Sequence, residues 1–465
     1  MNDMKKLYMM MLLVMAGTMA MAQTSVWHGG RQIWTRGEGT ESHPYLIESA
    51  DNLAFLAYMV NKGYDTYGLY FRLTTDIDLN GSEDQQWVPI GLAYKWFSED
   101  GCDRGNPNNF YADTYFRGHF DGGEHSISNI YINTEGENAG LFGHVQGNYY
   151  DDLAVIENVF VTSGYIKGSV CGGIMAYGSN NTTLVSRCWN GATIEGFDVG
   201  GIVGASANKV YNCYNVGNLS GTNVGGIVGG RNQNGAGARE IIECFNTGDI
   251  TASEYGGGII GFARQSTTID NCYNTGSVSG TGDPGNYWPA AGGLVGVNYQ
   301  GTCAITNCYN VGEVSSTNYL GCLIGYPMGN ITVENSYYLN TCTESGYGEP
   351  KSEDYMRSQE FVDYLNGRNR DQVWALDEDY INDGFPVLIE ANYLEVSEQS
   401  ETVFNVYPNP AQGRFTVEGI GRMTVSNLLG QVVLVKEIDG QTTVALPQGM
   451  YFVKLGNETR KIVVE

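Results

Sequence analysis

The chain has 465 residues and a formal net charge of -26, with 64 glycines and 12% aromatic residues. This acidic excess excludes nucleic acid and anionic bilayers as electrostatic partners, because both repel a negative surface. Abundant glycine with many aromatic residues favours an all-β fold with tight corners, and the length favours several structural units.

Residues 1–22 have the parts of a secretory signal peptide. Lys5 and Lys6 precede an apolar run from Leu7 to Met19, and small residues lead up to Ala22. The run is too short to span a bilayer, and no later stretch is a candidate span. The sequence therefore predicts cleavage before Gln23 and an exported chain without a transmembrane segment.

Residues 23–135 predict an N-terminal cap followed by the first coils. A short strand at 44–47 precedes Ser49, which can cap a helix that ends at Gly63. The apolar residues of this helix fall on one face, at Leu53, Leu56, Ala57 and Val60. Such a helix would shield the open end of the first coil, whose backbone groups could otherwise pair with another chain.

Two polar groups in this region have possible chemistry. Asp76, Asp78 and Asn80 alternate on one strand face, which presents oxygen ligands as a Ca²⁺ site requires, although the spacing is that of half a site. Calcium is the one cofactor that the sequence suggests. Asp121, Glu124 and His125 fall in a turn, where they could act as acid and base. We expect such turn residues to bond their own backbone.

Residues 136–345 repeat two phrases. The first is Asn-Cys-Tyr-Asn or a close variant, and its cysteines fall at Cys188, Cys213, Cys244, Cys272 and Cys308, spaced by 25, 31, 28 and 36 residues. The second is Gly-Gly-Ile-Val-Gly, as at 200–204 and 225–229. Short β-branched segments bounded by glycine, with no room for a helix, predict a right-handed parallel β-helix with three strands per rung.

The cysteines of the first phrase are predicted to be buried and unpaired. An apolar residue lies three positions before each cysteine, and strict alternation cannot turn both inward, so we expect a kink between them. Stacked in register, the thiols form an internal ladder with parallel Cβ directions, which is unsuitable for disulfides. No Cys-x-x-Cys pair suggests a metal site.

An aromatic residue follows the cysteine position in every copy. In register these rings form a column, which is either a sugar-stacking platform or a buried ladder under a corner loop. We expect burial. The candidate ligand-stacking residues are Trp189, Tyr214, Phe245, Tyr273 and Tyr309.

The C-terminal part divides into three segments. Residues 346–394 predict a cap with a short amphipathic helix stopped by Gly367, and the polar residues 395–402 predict a linker. Residues 403–465 predict an Ig-like β-sandwich. Its expected strands are 414–418, 423–427, 432–437, 442–446 and 451–455.

The repeated phrases, together with Ala139-Gly140-Leu141-Phe142-Gly143, resemble the GLUG repeat of bacterial surface proteins. The resemblance covers roughly residues 35–390 and implies a secreted or surface β-helix of the adhesin-like kind. It implies no catalytic site, and neither a His-Glu-x-x-His helix nor a Gly-x-Ser-x-Gly elbow occurs.

The last unit resembles the C-terminal sorting domain of the type IX secretion route. The matching phrases occur in order: Tyr-Pro-Asn-Pro at 407–410, Asn-Leu-Leu-Gly-Gln at 427–431, Leu-Pro-Gln-Gly-Met-Tyr at 446–451 and Lys-Ile-Val-Val at 461–464. The resemblance implies passage across the outer membrane of a Gram-negative cell by the type IX machinery, then removal of the domain with release or surface attachment.

Together these patterns predict a non-catalytic, adhesin-like protein that is secreted or displayed at the cell surface and binds an extracellular glycan or protein. Two alternatives stay open. The first is a carbohydrate-active β-helix enzyme, either a polysaccharide lyase or a glycoside hydrolase. The second is a non-catalytic part of a surface peptidase system.

Overall fold

The computed structural model describes residues 24–92, 114–148, 153–179, 182–230, 238–264, 266–285, 288–344, 346–367, 372–389, 405–407, 411–427, 432–455 and 458–464. The predicted signal peptide (1–22) and linker (395–402) lie outside the described residues. The chain divides into two compact units, residues 1–391 and 392–465.

The first unit is a parallel β-helix. Within the described residues, 11 strands form sheet A, 10 form sheet B, nine form sheet C, and two corner sheets have three strands each. All ladders of these sheets are parallel, as between Tyr214 and Phe245 in sheet A or Val210 and Ile241 in sheet B. The predicted all-β solenoid is therefore confirmed.

The strands of sheet A are β1 Ser25–Val26, β4 Ile77–Asp78, β6 Ser126–Ser128, β10 Phe160–Val161, β14 Trp189–Asn190, β18 Tyr214–Asn215, β21 Phe245–Asn246, β25 Tyr273–Asn274, β30 Tyr309–Asn310, β35 Tyr337–Leu339 and β36 Glu349–Lys351. Those of sheet B are β2 Tyr45–Ile47, β3 Tyr70–Leu73, β5 His119–Asp121, β9 Ala154–Glu157, β13 Thr183–Ser186, β17 Ala207–Tyr211, β20 Ala238–Ile242, β24 Thr267–Asp270, β29 Thr302–Thr306 and β34 Asn330–Glu334.

The strands of sheet C are β7 Ile130–Asn133, β11 Gly164–Gly172, β15 Thr193–Gly200, β19 Leu219–Gly225, β22 Ile250–Gly257, β26 Val278–Gly280, β27 Ala290–Gly292, β31 Val314–Ser316 and β32 Tyr319–Gly321. The corner sheets contain β8 Phe142–Val145, β12 Met175–Gly178 and β16 Val203–Ala205, and then β23 Ile260–Ala263, β28 Val295–Asn298 and β33 Ile324–Pro327.

A complete rung contains four strands rather than the three expected. One rung runs through β15, β16, β17 and β18. The additional strand arises at the Gly-Gly phrase, because the glycine corner ends the sheet C strand and the chain resumes as a separate corner-sheet strand before it enters sheet B.

The kink expected before each cysteine is confirmed. The residue before the cysteine position has a left-handed backbone in every copy, with φ of 50° at Asn212 and 51° at Asn271. Asparagine tolerates this conformation better than most side chains, which explains its frequency here. The left-handed residue turns the chain from sheet B into sheet A, so that both the apolar residue and the cysteine point inward.

The ladder cysteines are free and fully buried, as predicted. The backbone N–H of Cys213 donates to Sγ of Cys244 at 3.4 Å, while Sγ of Cys213 donates to the carbonyl of Tyr211 at 3.2 Å. The same N–H to Sγ bond continues through Cys272 to Cys308. Burial raises the pKa of the Cys213 and Cys272 thiols well above the ordinary range, so they remain protonated donors.

Ser336 takes the cysteine position in the last copy and repeats this pattern. Its Oγ accepts from the N–H of Cys308 at 3.2 Å and donates to the carbonyl of Glu334 at 2.9 Å. A small side chain that both donates and accepts is therefore what the corner requires.

A second internal ladder joins the last asparagine of the first phrase from rung to rung. Nδ2 of Asn215 donates to Oδ1 of Asn246, and Nδ2 of Asn246 to Oδ1 of Asn274, both at 2.8 Å. The same amide nitrogens donate to carbonyls two residues further on, as from Asn246 to Gly248 at 2.8 Å. Asn190 and Asn310 extend the ladder in the two directions, and all five side chains are buried.

The second phrase needs its glycines because of this ladder. A Cβ atom on Gly226 would lie 2.5 Å from Cβ of Asn246 and 2.0 Å from a backbone oxygen, and Gly201 meets Asn215 in the same way. No side chain larger than hydrogen fits there. The glycine of the second phrase and the last asparagine of the first phrase therefore make one close contact between neighbouring rungs.

The N-terminal cap follows the sequence expectation. Helix α1 spans Ala50–Asn61, and Oγ of Ser49 accepts from the N–H of Asn52 at 3.2 Å as its N-cap. The predicted apolar face is buried in the same core as the coils. The helix packs beside β2, the terminal strand of sheet B, and so covers that end of the coil.

The C-terminal part of the first unit contains helices α2 Glu353–Met356 and α3 Gln359–Asn366 and the antiparallel pair β37 Trp374–Ala375 and β38 Val387–Leu388. A disulfide joins Cys322 to Cys342 across 20 residues of sequence. The sequence analysis missed this pair because neither cysteine belongs to the repeated phrase.

The second unit contains strands β39 Asn405–Tyr407, β40 Arg414–Asn427, β41 Val432–Ala445, β42 Gly449–Leu455 and β43 Glu458–Val464. They form an antiparallel sheet around one apolar core. The expected breaks within β40 and β41 are absent from these described strands. The intervening residues pair with each other, as Gly419 with Gly440 and Gly421 with Ile438, so hydrogen bonding continues through both segments.

We predict that Asn246→Ala destabilises the solenoid by at least about 3 kcal/mol. The change removes the donor to the Gly248 carbonyl and to Oδ1 of Asn274, and it leaves Nδ2 of Asn215 with the Gly217 carbonyl alone. Each buried polar group that loses its partner costs about 1–3 kcal/mol. Urea denaturation followed by circular dichroism measures the effect. The exposed Asn318, changed to Ala, is the matched control, and equal midpoints for the two variants would contradict the assigned role.

We also predict that the disulfide stabilises the native chain by about 3 kcal/mol, because it closes a loop of this length in the unfolded state. Peptide mapping without reduction should show the Cys322–Cys342 pair and no pair among the five ladder cysteines. Reductant should lower the melting temperature of the native chain but leave that of Cys342→Ser unchanged. A native midpoint insensitive to reductant would refute this prediction.

Candidate ligand-binding surface

The five candidate ligand-stacking rings stack on one another, as expected for a buried ladder. Cys213 and Asn215 point into the coil, so Tyr214 between them points outward, and the other rings share its register. Centroids of Tyr214 and Phe245 are 4.7 Å apart with planes 4° from parallel, and Phe245 and Tyr273 repeat this geometry. The column is nonetheless buried: its five members are 4%, 8%, 7%, 3% and 0% exposed in chain order from Trp189 to Tyr309.

The C-terminal part of the first unit covers the end of this column. Trp374 packs against Tyr273 and Tyr309, with centroids 5.9 Å and 5.6 Å away, and its Nε1 donates to Oδ1 of Asn271 at 2.9 Å. The hydroxyl of Tyr309 donates to the carbonyl of Pro386. The sugar-stacking role considered for the column must be corrected accordingly, because its ring faces lie against each other and its outer edges are covered.

One carboxylate oxygen of each aspartate among the calcium candidates Asp76, Asp78 and Asn80 is engaged within the protein. Oδ1 of Asp78 accepts from the N–H of Asn80 at 2.7 Å and from Nδ2 of Asn129 at 2.9 Å. Oδ1 of Asp76 accepts from the N–H of Ser126 at 2.8 Å. These contacts tie β4 to the next rung. Among the described residues, no group of three or more His, Cys, Asp or Glu side chains is arranged to hold a metal ion.

The turn that could supply an acid and a base also bonds locally. Oδ1 of Asp121 accepts from the N–H of Gly123 and from Nδ2 of Asn158, both at 2.8 Å. Nε of Arg72 lies 3.4 Å from the other oxygen of this carboxylate. Nδ1 of His125 lies 3.4 Å from Oδ1 of Asp76. Asp121 is therefore a corner residue that joins successive coils.

An aromatic cluster lies on the outside of the coil, at the Gly-Gly corner of three successive rungs. Its members are Tyr255, Phe262, Ala290, Val297, Tyr319 and Tyr326, and with the adjoining Trp288 and Tyr299 we name it the corner cluster. Tyr255, Ala290 and Tyr319 are in register on sheet C. Phe262, Val297 and Tyr326 are in register on the corner sheet.

The outside of the coil is concave at this corner. Outward side chains from the two sheets meet there, since the rings of Tyr255 and Phe262 are 5.5 Å apart and those of Tyr319 and Tyr326 are 4.2 Å apart. At a convex corner such side chains would diverge. The middle rung contributes the small side chains Ala290 and Val297, which the flanking rings cover completely.

Part of the corner cluster is open to solvent. Trp288 is 55% exposed and stands edge-on to Tyr326, with planes 87° apart, while Tyr299 is 39% exposed and stacks on Phe262. Both exposed rings adjoin one aromatic cluster, and a grouped set of apolar side chains open to solvent is typical of an interaction site. Desolvation and then the neighbouring Tyr319 raise the pKa of Tyr326, so its phenol is neutral.

The corner cluster has no periodic signature in the sequence, because its residues do not recur from copy to copy. The residue two positions before Gly-Gly is outward and variable: Asp198, Asn223, Tyr255 and Ala290 in successive copies. The variation at this position is the sequence feature that could have indicated the cluster. When an outward position changes from copy to copy while its neighbours stay constant, the repeat fold does not require a particular residue there.

Comparisons with known proteins agree with the two resemblances. Residues 405–465 match the secretion system C-terminal sorting domain, and residues 289–315 match the GLUG motif. The chain therefore carries a GLUG motif and a C-terminal sorting domain of the type IX route, and it is secreted or displayed at the cell surface. The sorting domain implies that the last unit interacts with the secretion machinery. Among the described residues, no helix is long and apolar enough to cross a membrane.

Two curated proteins resemble part of the chain. One is a predicted Gly-rich membrane protein of Evansella cellulosilytica, 32% identical over 146 residues, which are 30% of this chain. The other is Halomucin of Haloquadratum walsbyi, 31% identical over 171 residues, which are 37% of this chain. The matched regions span 14% and 2% of those proteins.

Among solved structures, a predicted immunoglobulin A1 protease from Bacteroides ovatus is 20% identical. The match covers 77% of this chain and 95% of that one, with a TM-score of 0.48.

We predict that Phe245→Ala costs about 3–5 kcal/mol of stability, as buried aromatic truncations do. The ring stacks on both Tyr214 and Tyr273 and is 7% exposed. Phe245→Tyr is the matched control, because both neighbours in the column already carry a phenol at this register. Thermal melts measure the two variants, and an alanine variant as stable as the parent would show that the column is not a packing element.

Proposed function

We propose that the protein is a non-catalytic, adhesin-like binder that recognises an extracellular glycan or protein through the corner cluster. The observation that carries the proposal is the exposed aromatic surface of Trp288 and Tyr299 on an otherwise regular solenoid. Folding explains the repeated residues but does not require these rings. Since the chain is exported, a surface that the fold does not use is available to an external ligand.

The acidic composition suits this role. A net charge of -26 keeps an extracellular protein soluble and prevents indiscriminate binding to anionic surfaces. Selective attachment then depends on a local surface of different chemistry. The corner cluster, which is apolar and aromatic, is such a surface.

A carbohydrate-active enzyme would need a different arrangement of side chains. Glycoside hydrolysis requires two carboxyl groups about 5–10 Å apart that converge on the substrate. Of the candidate acid–base turn of Asp121, Glu124 and His125, Asp121 accepts a hydrogen bond from the neighbouring coil. The calcium candidates Asp76 and Asp78 do the same. The exposed aromatic cluster favours binding over this alternative.

We predict that the purified full chain binds at least one component of an array of glycans and extracellular matrix proteins. The bound component should remain chemically unchanged after long incubation, as mass spectrometry or chromatography of the recovered ligand would show. Cleavage of the ligand would support the enzymatic alternative. Failure to bind any glycan or any matrix protein of the array would overturn the proposed function.

A further inference from the structure

We propose that the corner cluster binds a neutral polysaccharide, with Trp288 and Tyr299 as the exposed contacts. This inference rests on the proposed function and names its ligand class. It depends on three features of the described residues: fixed ring planes, a neighbouring row of hydroxyl groups, and the local charge.

The rings of the corner cluster are held in place by one another. Phe262 supports Tyr299 at 5.5 Å with planes 28° apart, and Tyr319 supports Tyr326 at 4.2 Å with planes 23° apart. Trp288 is braced edge-on against Tyr326 at 6.2 Å. Preorganised rings lose little conformational entropy when a flat ligand stacks on them. The C–H faces of a pyranose ring are such flat apolar surfaces.

A row of hydroxyl groups lies on sheet C, where Thr251 and Ser315 come four residues before Tyr255 and Tyr319 along the chain. Thr251, Ser279 and Ser315 occupy one outward register across the same three rungs. Oγ of Ser279 and Oγ of Ser315 are 3.2 Å apart, and Thr251 and Ser315 are exposed. This row can exchange hydrogen bonds with sugar hydroxyls while the rings contact the sugar faces. An apolar protein surface would gain nothing from such a row.

The charge around the cluster selects a neutral ligand. Residues 250–328 contain four acids and one base: Glu254, Asp270, Asp283 and Glu313 against Arg264. An acidic polysaccharide would be repelled by this segment and by the chain as a whole. A neutral polymer meets no such barrier.

The shape of the site suits a polymer. The concave corner extends over three rungs, and neighbouring rungs are about 4.8 Å apart. Trp288 and Tyr299 flank the middle rung, where Tyr299 packs on Phe262 of the rung before and Trp288 on Tyr326 of the rung after. A polysaccharide chain laid across the corner would thus place different sugar units on the two exposed rings. A free monosaccharide would stack on one ring at a time.

Affinity electrophoresis of the full chain tests this inference. The neutral probes are hydroxyethyl cellulose, galactomannan and glycogen, and the acidic probes are polygalacturonate and hyaluronan. We expect retardation by at least one neutral polymer and by neither acidic one. Trp288→Ala should weaken that binding by about tenfold or more, as loss of an aromatic anchor does. Trp288→Phe should retain most of it.

Tyr64→Ala is the matched control, because Tyr64 is 60% exposed and lies in the N-terminal part of the chain. It should bind like the parent, and circular dichroism should show all variants folded. The inference is overturned if no neutral polymer binds, if only acidic polymers bind, or if Trp288→Ala binds as well as the parent. The array of glycans and matrix proteins tests the proposed function separately. If the chain binds a component of that array, the proposed function holds even when this inference fails.

Discussion

The fold depends on a buried row of asparagine amides. From Asn190 to Asn274, each amide donates both to the next amide and to a carbonyl two residues further on, and Asn310 ends the row. A buried amide costs free energy unless it is hydrogen-bonded, and a shift in the stacking register would break these bonds. The row therefore stabilises the solenoid and also restricts the rungs to a single alignment.

The same row explains why the two phrases recur together. The glycine of the second phrase lies directly against the asparagine of a neighbouring first phrase, as Gly226 does against Asn246. A change in either phrase alone would produce a steric clash or an unpaired amide. The thiol row works alongside it, since each Sγ satisfies a backbone N–H that the left-handed corner leaves without a strand partner.

Much of this architecture could be predicted from sequence because it is periodic. The inward cysteines, the kink before them and the capped helix after Ser49 each produce a local pattern. The fourth strand of each rung lies in the repeated Gly-Gly phrase, but the phrase alone does not show that its glycine corner ends one strand and begins another. The disulfide and the continuity of β40 could not be predicted from periodicity either. They depend on pairings between segments whose sequences do not repeat, such as Gly419 with Gly440.

The same contrast between repeating and non-repeating positions applies to the candidate binding surface. The regular aromatic column from Trp189 to Tyr309 attracted a binding role but serves packing. Trp288 and Tyr319 occupy positions where other copies have different residues, and they form the exposed corner cluster. In a repeat protein, the residues that recur in every copy are those that folding requires. Functional residues are better sought at outward positions that differ between copies.

The Cys322–Cys342 bond also has a mechanical consequence. A pull that reaches the solenoid through its C-terminal residues passes along the chain to Cys342 and then crosses the covalent bond to Cys322. Residues 323–341, which include β33, β34 and β35, lie inside the closed loop and bear none of that tension. The last rung is thereby shielded from unzipping, and the load enters the stack at β32, whose strand partner is β27 of the rung before.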